Sequence, residues 1–159
     1  MSANTLFNDS TVVLGIETSC DETAAAVVMG GNDVLSSVVA TQIDLHARYG
    51  GVVPEIASRA HVEAMNVVIR QAVLQSGVPI ERIDAVAATV GPGLIGALLV
   101  GVAAAKSVAL VLDKPFIGVN HLEAHLYAAL LDDPHVEFPM LVVLVSGGNT
   151  LFVEMRGHG

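Results

Sequence analysis

The stretch from residue 83 to 131, IDAVAATVGPGLIGALLVGVAAAKSVALVLDKPFIGVNHLEAHLYAALL, decides the fold. Ile83 to Val90 is a short apolar run that reads as a strand, and Leu94 to Leu112 is long enough for a helix. Pro115 to Val119 reads as a second strand and His121 to Leu131 as a second helix. Strand–helix–strand–helix with short connections predicts right-handed crossovers and a parallel sheet.

Working outward, the N-terminal side has a different rhythm. Thr11 to Ile16, Ala24 to Met29 and Val34 to Thr41 are three short β-type runs. The polar cluster Glu17 to Thr23 and the turn Gly30-Gly31-Asn32-Asp33 separate them, so an antiparallel meander is expected. His46 to Val53 is expected to be a loop. Pro54 suits the first turn of a helix, and apolar residues recur at helical spacing through Ile56, Ala60, Ala64, Val68 and Ala72, with Met65 and Val73 alongside. Gly77 and Pro79 should stop that helix. Downstream, Met140 to Val145 and Thr150 to Met155 form a hairpin around Ser146-Gly147-Gly148-Asn149, echoing the first one. The expected organisation is a polar N-terminus (1–10), an α/β lobe with a mixed sheet (11–136) and the opening hairpin of a second lobe (137–159). The chain ends with no terminating element, just after opening that second lobe.

Composition narrows the function. Hydrophobic residues make up 53% and charged residues 14%, enough apolar material for a large core and too much for disorder. Aromatics are only 4%, so that core must be aliphatic and suits strands covered on both faces. The formal charge of −9 argues against direct contact with a phosphate backbone. The single cysteine, Cys20, rules out an intrachain disulfide and fits a cytoplasmic setting; it is expected to be a small buried residue and not a nucleophile. Leu94 to Leu112 could span a membrane by length, but it holds Lys106 and lacks flanking basic clusters, so a buried helix is expected and no membrane association.

Three constellations could carry chemistry. His121 and His125 lie four apart on one helix, so both imidazoles share a face and could bind one transition metal. Leu122 stands where a zincin protease needs its glutamate. Asp132, Asp133, His135 and Glu137 are nearby candidates for a third ligand, as is a carboxylate outside the chain. Gly91-Pro92-Gly93-Leu94-Ile95-Gly96 matches the dinucleotide pattern G-x-G-x-x-G. Pro92 has no N–H for a pyrophosphate, however, and Asp113 precedes the next strand instead of ending it. A tight turn with close helix packing is the expected role. The two hairpin turns, Ser19 to Thr23 and Ser146 to Thr150, offer hydroxyls, carboxylates and consecutive N–H groups for an anionic substrate.

Four motifs together, Gly15 to Thr23 (GIETSCDET), Tyr49 to Glu55 (YGGVVPE), Asn120 to His125 (NHLEAH) and Leu144 to Gly148 (LVSGG), resemble those of the tRNA N6-adenosine threonylcarbamoyltransferase (TsaD) family, formerly described as O-sialoglycoprotein endopeptidases. The resemblance implies an actin-like (ASKHA, ribonuclease H-like) two-lobed fold. It implies transfer of a threonylcarbamoyl group from threonylcarbamoyl-AMP to N6 of adenosine 37 in tRNAs that read codons beginning with A. It further implies that His121 and His125 bind a divalent metal, iron before zinc, with an Asp of the second lobe as third ligand. Leu144, Val145, Ser146, Gly147 and Gly148 would line the adenylate pocket, and Glu17, Ser19 and Asp21 would face the phosphate side of the cleft. Implied partners are tRNA, held mainly by the other half or by other proteins, a related actin-like subunit and an ATPase subunit. Asn149 departs from the family, which has His there. A chain of this length is expected to be inactive alone. The competing expectation is a non-catalytic scaffold or dimerisation module of the same fold.

Overall fold

A computed structural model describes residues 8–133, 135–146 and 149–158. The chain divides into two compact units, Met1–His121 and Leu122–Gly159.

The first unit begins with the meander. Strands β1 (Val12–Glu17), β2 (Glu22–Met29) and β3 (Asp33–Thr41) pair antiparallel, β1 against β2 from Val12↔Met29 to Glu17↔Ala24. Gly30 and Gly31 both take positive φ, 63° and 87°, at the β2–β3 turn, the backbone a tight hairpin requires and side chains resist. A short helix, α1 (Ile43–Ala47), then occupies the start of the segment expected to be a loop from His46. At five residues it spans little more than one turn, too short for an apolar periodicity to repeat.

Helix α2 (Pro54–Ser76) begins and ends where its punctuation places it: Pro54 is in the first turn, and Gly77 closes the helix at φ 69° with its N–H on the Leu74 carbonyl. The buried stripe is Ala57, His61, Met65, Val68, Ile69 and Ala72. It is rotated from the expected stripe, because a histidine stands at its centre and Ala60 and Ile56 lie toward the margin.

After a single 3-10 turn at Ile80–Arg82, the predicted alternation follows: β4 (Ala85–Gly91), α3 (Ile95–Leu112), β5 (Phe116–Asn120) and α4 (His121–Asp132). Strand β4 inserts between β1 and β5, parallel to both, giving the mixed five-stranded order β3-β2-β1-β4-β5. Leu14, Val27 and Val86 at 0% exposure and Ile83 at 1% centre the core, which α2 closes with Met65, Val68 and Ala72. Each fully buried aliphatic side chain of this kind contributes about 1.5–3 kcal/mol of transfer free energy.

Helix α3 is not the fully buried helix expected. Ala97, Leu98, Gly101, Ala105 and Ala109 pack inward, but Ile95, Leu99, Leu110 and Val111 are 63–83% exposed. By length and composition alone it could cross a membrane, with 28% of Ile95–Leu112 buried. Small residues on its inner face let it approach the sheet closely: a Cβ on Gly101 would collide with Thr18 Oγ1, whose hydroxyl donates to the Ala97 carbonyl at 2.8 Å.

The second unit contains most of α4 and a separate hairpin, β6 (Met140–Ser146) with β7 (Asn149–Met155), in register from Met140↔Met155 to Ser146↔Asn149. Leu141, Val143, Val145 and Phe152 are exposed on it. His158 stacks on Tyr127 and meets Phe138 edge-on.

Candidate active site

Strands β1, β4 and β5 are mutually parallel, so their carboxyl ends emerge at one edge of the sheet, the edge where open α/β sheets place their sites. Glu17 ends β1, Thr89 lies near the end of β4, and His121 follows Asn120 at the end of β5. These three residues meet. The Glu17 carboxylate accepts hydrogen bonds from the Thr89 hydroxyl and from the Ser19 N–H. His121 Nδ1 lies 3.4 Å from Glu17 Oε2 and 3.2 Å from Ser19 Oγ.

The electrostatics follow from those contacts. Burial pushes the Glu17 carboxyl up, but the hydrogen bonds from Ser19 and Thr89 and the nearby His121 outweigh it, and the group lies below its ordinary value. Glu17 is therefore a carboxylate at neutral pH. Because a carboxylate only accepts, it favours the His121 tautomer with hydrogen on Nδ1, which places the basic lone pair on Nε2. Carboxylate-oriented imidazoles of this kind are characteristic of metal ligands.

The turn after β1 is fixed by its surroundings. The Leu94 N–H donates to the Ser19 carbonyl at 2.8 Å, and the Gln42 N–H donates to the Asp21 carbonyl at 3.0 Å. A Cβ on Gly93 would stand 2.6 Å from that same Ser19 carbonyl, and one on Gly96 would collide with Ser58 Oγ. Gly93 thus lets α3 start directly against the Ser19 turn, and Gly96 lets it approach α2.

Cys20 is exposed, not buried as expected. Its side of the turn faces outward while its neighbours Ser19 and Thr18 are enclosed. Burial of part of the thiol, together with Asp21, pushes its pKa up, which disfavours the thiolate a nucleophile needs.

Among the expected metal ligands, His121 and His125 both stand on α4, four residues apart, with His125 exposed. Among the described residues no group of three His, Cys, Asp or Glu side chains gathers to hold an ion, so Asp132, Asp133, His135 and Glu137 do not complete a set there. Leu144, Val145 and Ser146 lie on β6, and Ser146 pairs with Asn149; Gly147 and Gly148 lie outside the described residues. Thr89 was not anticipated. Its signal is a lone hydroxyl near the end of an otherwise apolar strand.

A family model described as tRNA N6-adenosine threonylcarbamoyltransferase (TsaD) matches residues 33–159. Curated relatives of that name include one from Symbiobacterium thermophilum, 61% identical over 148 residues, which cover 93% of this chain and 43% of the relative. Another, from Geobacillus kaustophilus, is 57% identical over 152 residues, covering 96% and 44%. The chain thus spans less than half the length of these relatives. Among solved structures, YeaZ from Pseudomonas aeruginosa matches at a TM-score of 0.57 and 16% identity, covering 91% of this chain and 65% of that one. At that identity the likeness speaks for the fold alone, and it fits the actin-like architecture.

Proposed function

The chain belongs to the tRNA N6-adenosine threonylcarbamoyltransferase family, and from that membership we propose that the protein carrying it transfers a threonylcarbamoyl group from threonylcarbamoyl-AMP to N6 of adenosine 37 in tRNAs reading codons that begin with A. In this reaction a bond forms between N6 and the carbonyl carbon, the bond from that carbon to the AMP phosphate oxygen breaks with its electron pair leaving on AMP, and N6 gives up one proton. No covalent enzyme intermediate is needed.

The observation that carries the reading is the meeting of Glu17, Ser19 and His121 at the carboxyl edge of the sheet. A divalent metal, iron before zinc, would be held by His121 and His125 together with an Asp of the second lobe. Glu17 supports the fit, since it orients the His121 ring through Nδ1. When bound, such an ion supplies Lewis acidity toward a carbonyl or phosphoryl oxygen. Ser19 and Asp21 would face the phosphate side of the adenylate, and Leu144 to Gly148 would line its pocket. Residues 11–136 would form the first lobe and 137–159 the opening of the second.

A charge of −9 repels RNA phosphates, so tRNA would be held mainly by other parts of the protein or by partners, among them a related actin-like subunit and an ATPase subunit. A cytoplasmic location without membrane association fits this chemistry.

The test is formation of threonylcarbamoyladenosine, read by mass spectrometry of tRNA nucleosides. The protein carrying this chain is supplied with threonylcarbamoyl-AMP, tRNA and the partner subunits. His121→Ala and His125→Ala should abolish product. Full activity in both variants would remove the histidines from the reaction, and no product from the unsubstituted protein would favour the scaffold reading, for which the exposed apolar faces of α2 (Val62, Leu74) and α3 are the supporting observation.

A further inference from the structure

Behind the sheet edge lies a buried polar chain that none of the proposed site residues accounts for. His61, at the centre of the buried face of α2, is 0% exposed. Its Nε2 lies 3.1 Å from the Cys20 carbonyl oxygen, and its Nδ1 lies 2.7 Å from Thr23 Oγ1 and 3.3 Å from Gln42 Nε2. A carbonyl oxygen only accepts and an amide NH2 only donates, so the ring hydrogen sits on Nε2 and Nδ1 accepts. Gln42 Oε1 in turn lies 3.0 Å from His46 Nε2, and the Val53 N–H donates to His46 Nδ1 at 3.4 Å. Every link runs one way, from Val53 through His46, Gln42 and His61 to Cys20.

The consequence falls on the turn after β1. Three successive carbonyls, those of Ser19, Cys20 and Asp21, accept from three separate places: the Leu94 N–H, the His61 ring and the Gln42 N–H. The Thr23 hydroxyl is tied to the same His61 ring. An apolar residue at position 61 would fill the space but release the middle carbonyl. The Cys20 bond is part-buried, but the Thr23 hydroxyl is enclosed and would lose the same ring; a buried polar group without a partner is costly, so the turn would move to find one.

We infer that His61 is a positioning residue: by holding the Cys20 carbonyl it sets the direction in which Ser19 presents its hydroxyl to His121. This rests on the proposed reading that the Ser19–His121 edge serves the transfer reaction. His61 acts on that edge only through the backbone of the turn.

The experiment compares His61→Leu with His61→Gln, whose side-chain amide can donate toward Cys20. In this chain, His61→Leu should speed amide hydrogen exchange at Leu94 and Gln42 by about tenfold, while Leu14 and Val86 keep their rates. His61→Gln should restore most of the protection. In the protein carrying the chain, His61→Leu should lower kcat for tRNA modification with KM unchanged, and His61→Gln should recover it. Should His61→Leu fail to fold, His61→Asn, too short to reach Cys20, carries the same prediction. Uniform acceleration of all amides, or unchanged exchange at the turn, overturns the inference. A loosened turn with normal kcat overturns the link to the reaction. Absence of product from the unsubstituted protein is a failure of the proposed function, and the exchange measurement reads independently of it.

Discussion

Ser19 Oγ and His121 Nδ1 stand 3.2 Å apart, although 102 positions separate the two residues in the chain. The contact exists because β4, a late strand, enters the sheet beside β1 and carries β5 in next to it. Each residue follows the carboxyl end of its strand, and parallel pairing brings those ends to one edge.

Glu17 is the carboxylate partner of that contact, and its removal has a readable effect. Glu17→Gln keeps the volume but loses the charge that orients the imidazole. In the protein carrying this chain, zinc or cobalt affinity should fall about tenfold, the scale of other carboxylate–histidine pairs. Calorimetric titration checks this, with His121→Ala as the reference for a lost ligand. Unchanged affinity would remove Glu17 from the metal proposal.

Gly93 is required for space. An added methyl would meet the Ser19 carbonyl at 2.6 Å and Ser19 Cβ at 2.8 Å, and neither is a flexible side-chain end. Gly93→Ala should destabilise the chain by about 1–3 kcal/mol through overpacking. Gly51→Ala, with nothing within 4 Å and no positive φ, should stay near wild type. Urea denaturation of both variants makes the comparison.

Cys20 should be a slow thiol despite its exposure. Its pKa is raised by partial burial and by Asp21, so at a given pH the folded chain holds less thiolate than the unfolded one. Alkylation by iodoacetamide near pH 8 should therefore quicken on adding urea, and Asp21→Asn should quicken it in the folded chain. A native rate equal to the denatured rate would contradict the shift.

The outer face of α3 should tolerate charge. Leu110 and Val111 are 82% and 83% exposed near the end of the helix, where lysine also complements the helix dipole. The double change Leu110→Lys with Val111→Lys should leave stability within about 0.5 kcal/mol and reduce binding of a hydrophobic dye. Urea denaturation and dye fluorescence report the two halves of that expectation.

Most of the fold was legible because its signals are local. Pro54 and Gly77 mark the ends of α2, the two glycines at 30 and 31 mark the first hairpin, and apolar runs broken by turns mark the strands. What the sequence hid depends on distant parts of the chain. Thr89 reads as one polar residue in an apolar strand until β1 lies beside it. His61 interrupts an apolar stripe and suggests nothing until Cys20 and Thr23 face it. The exposure of Cys20 and of one side of α3 depends on what packs where, which residue spacing does not encode. The histidine pair on α4 was legible from its spacing alone. Ser19 was marked by the chemistry of its turn and Glu17 through the family resemblance, but neither reading placed them against His121.

The pairing of β1 with β4 runs from Val13↔Ala85 to Ile16↔Ala88, which sets Thr89 beside Glu17. Were β4 to slide by one position, Val90 or Ala88 would take that place, and neither has a hydroxyl to offer a carboxylate. A slip would thus take from Glu17 one of its donors, leaving it the Ser19 N–H and His121, so the Glu17–Thr89 bond favours the same alignment that the burial of the strand demands.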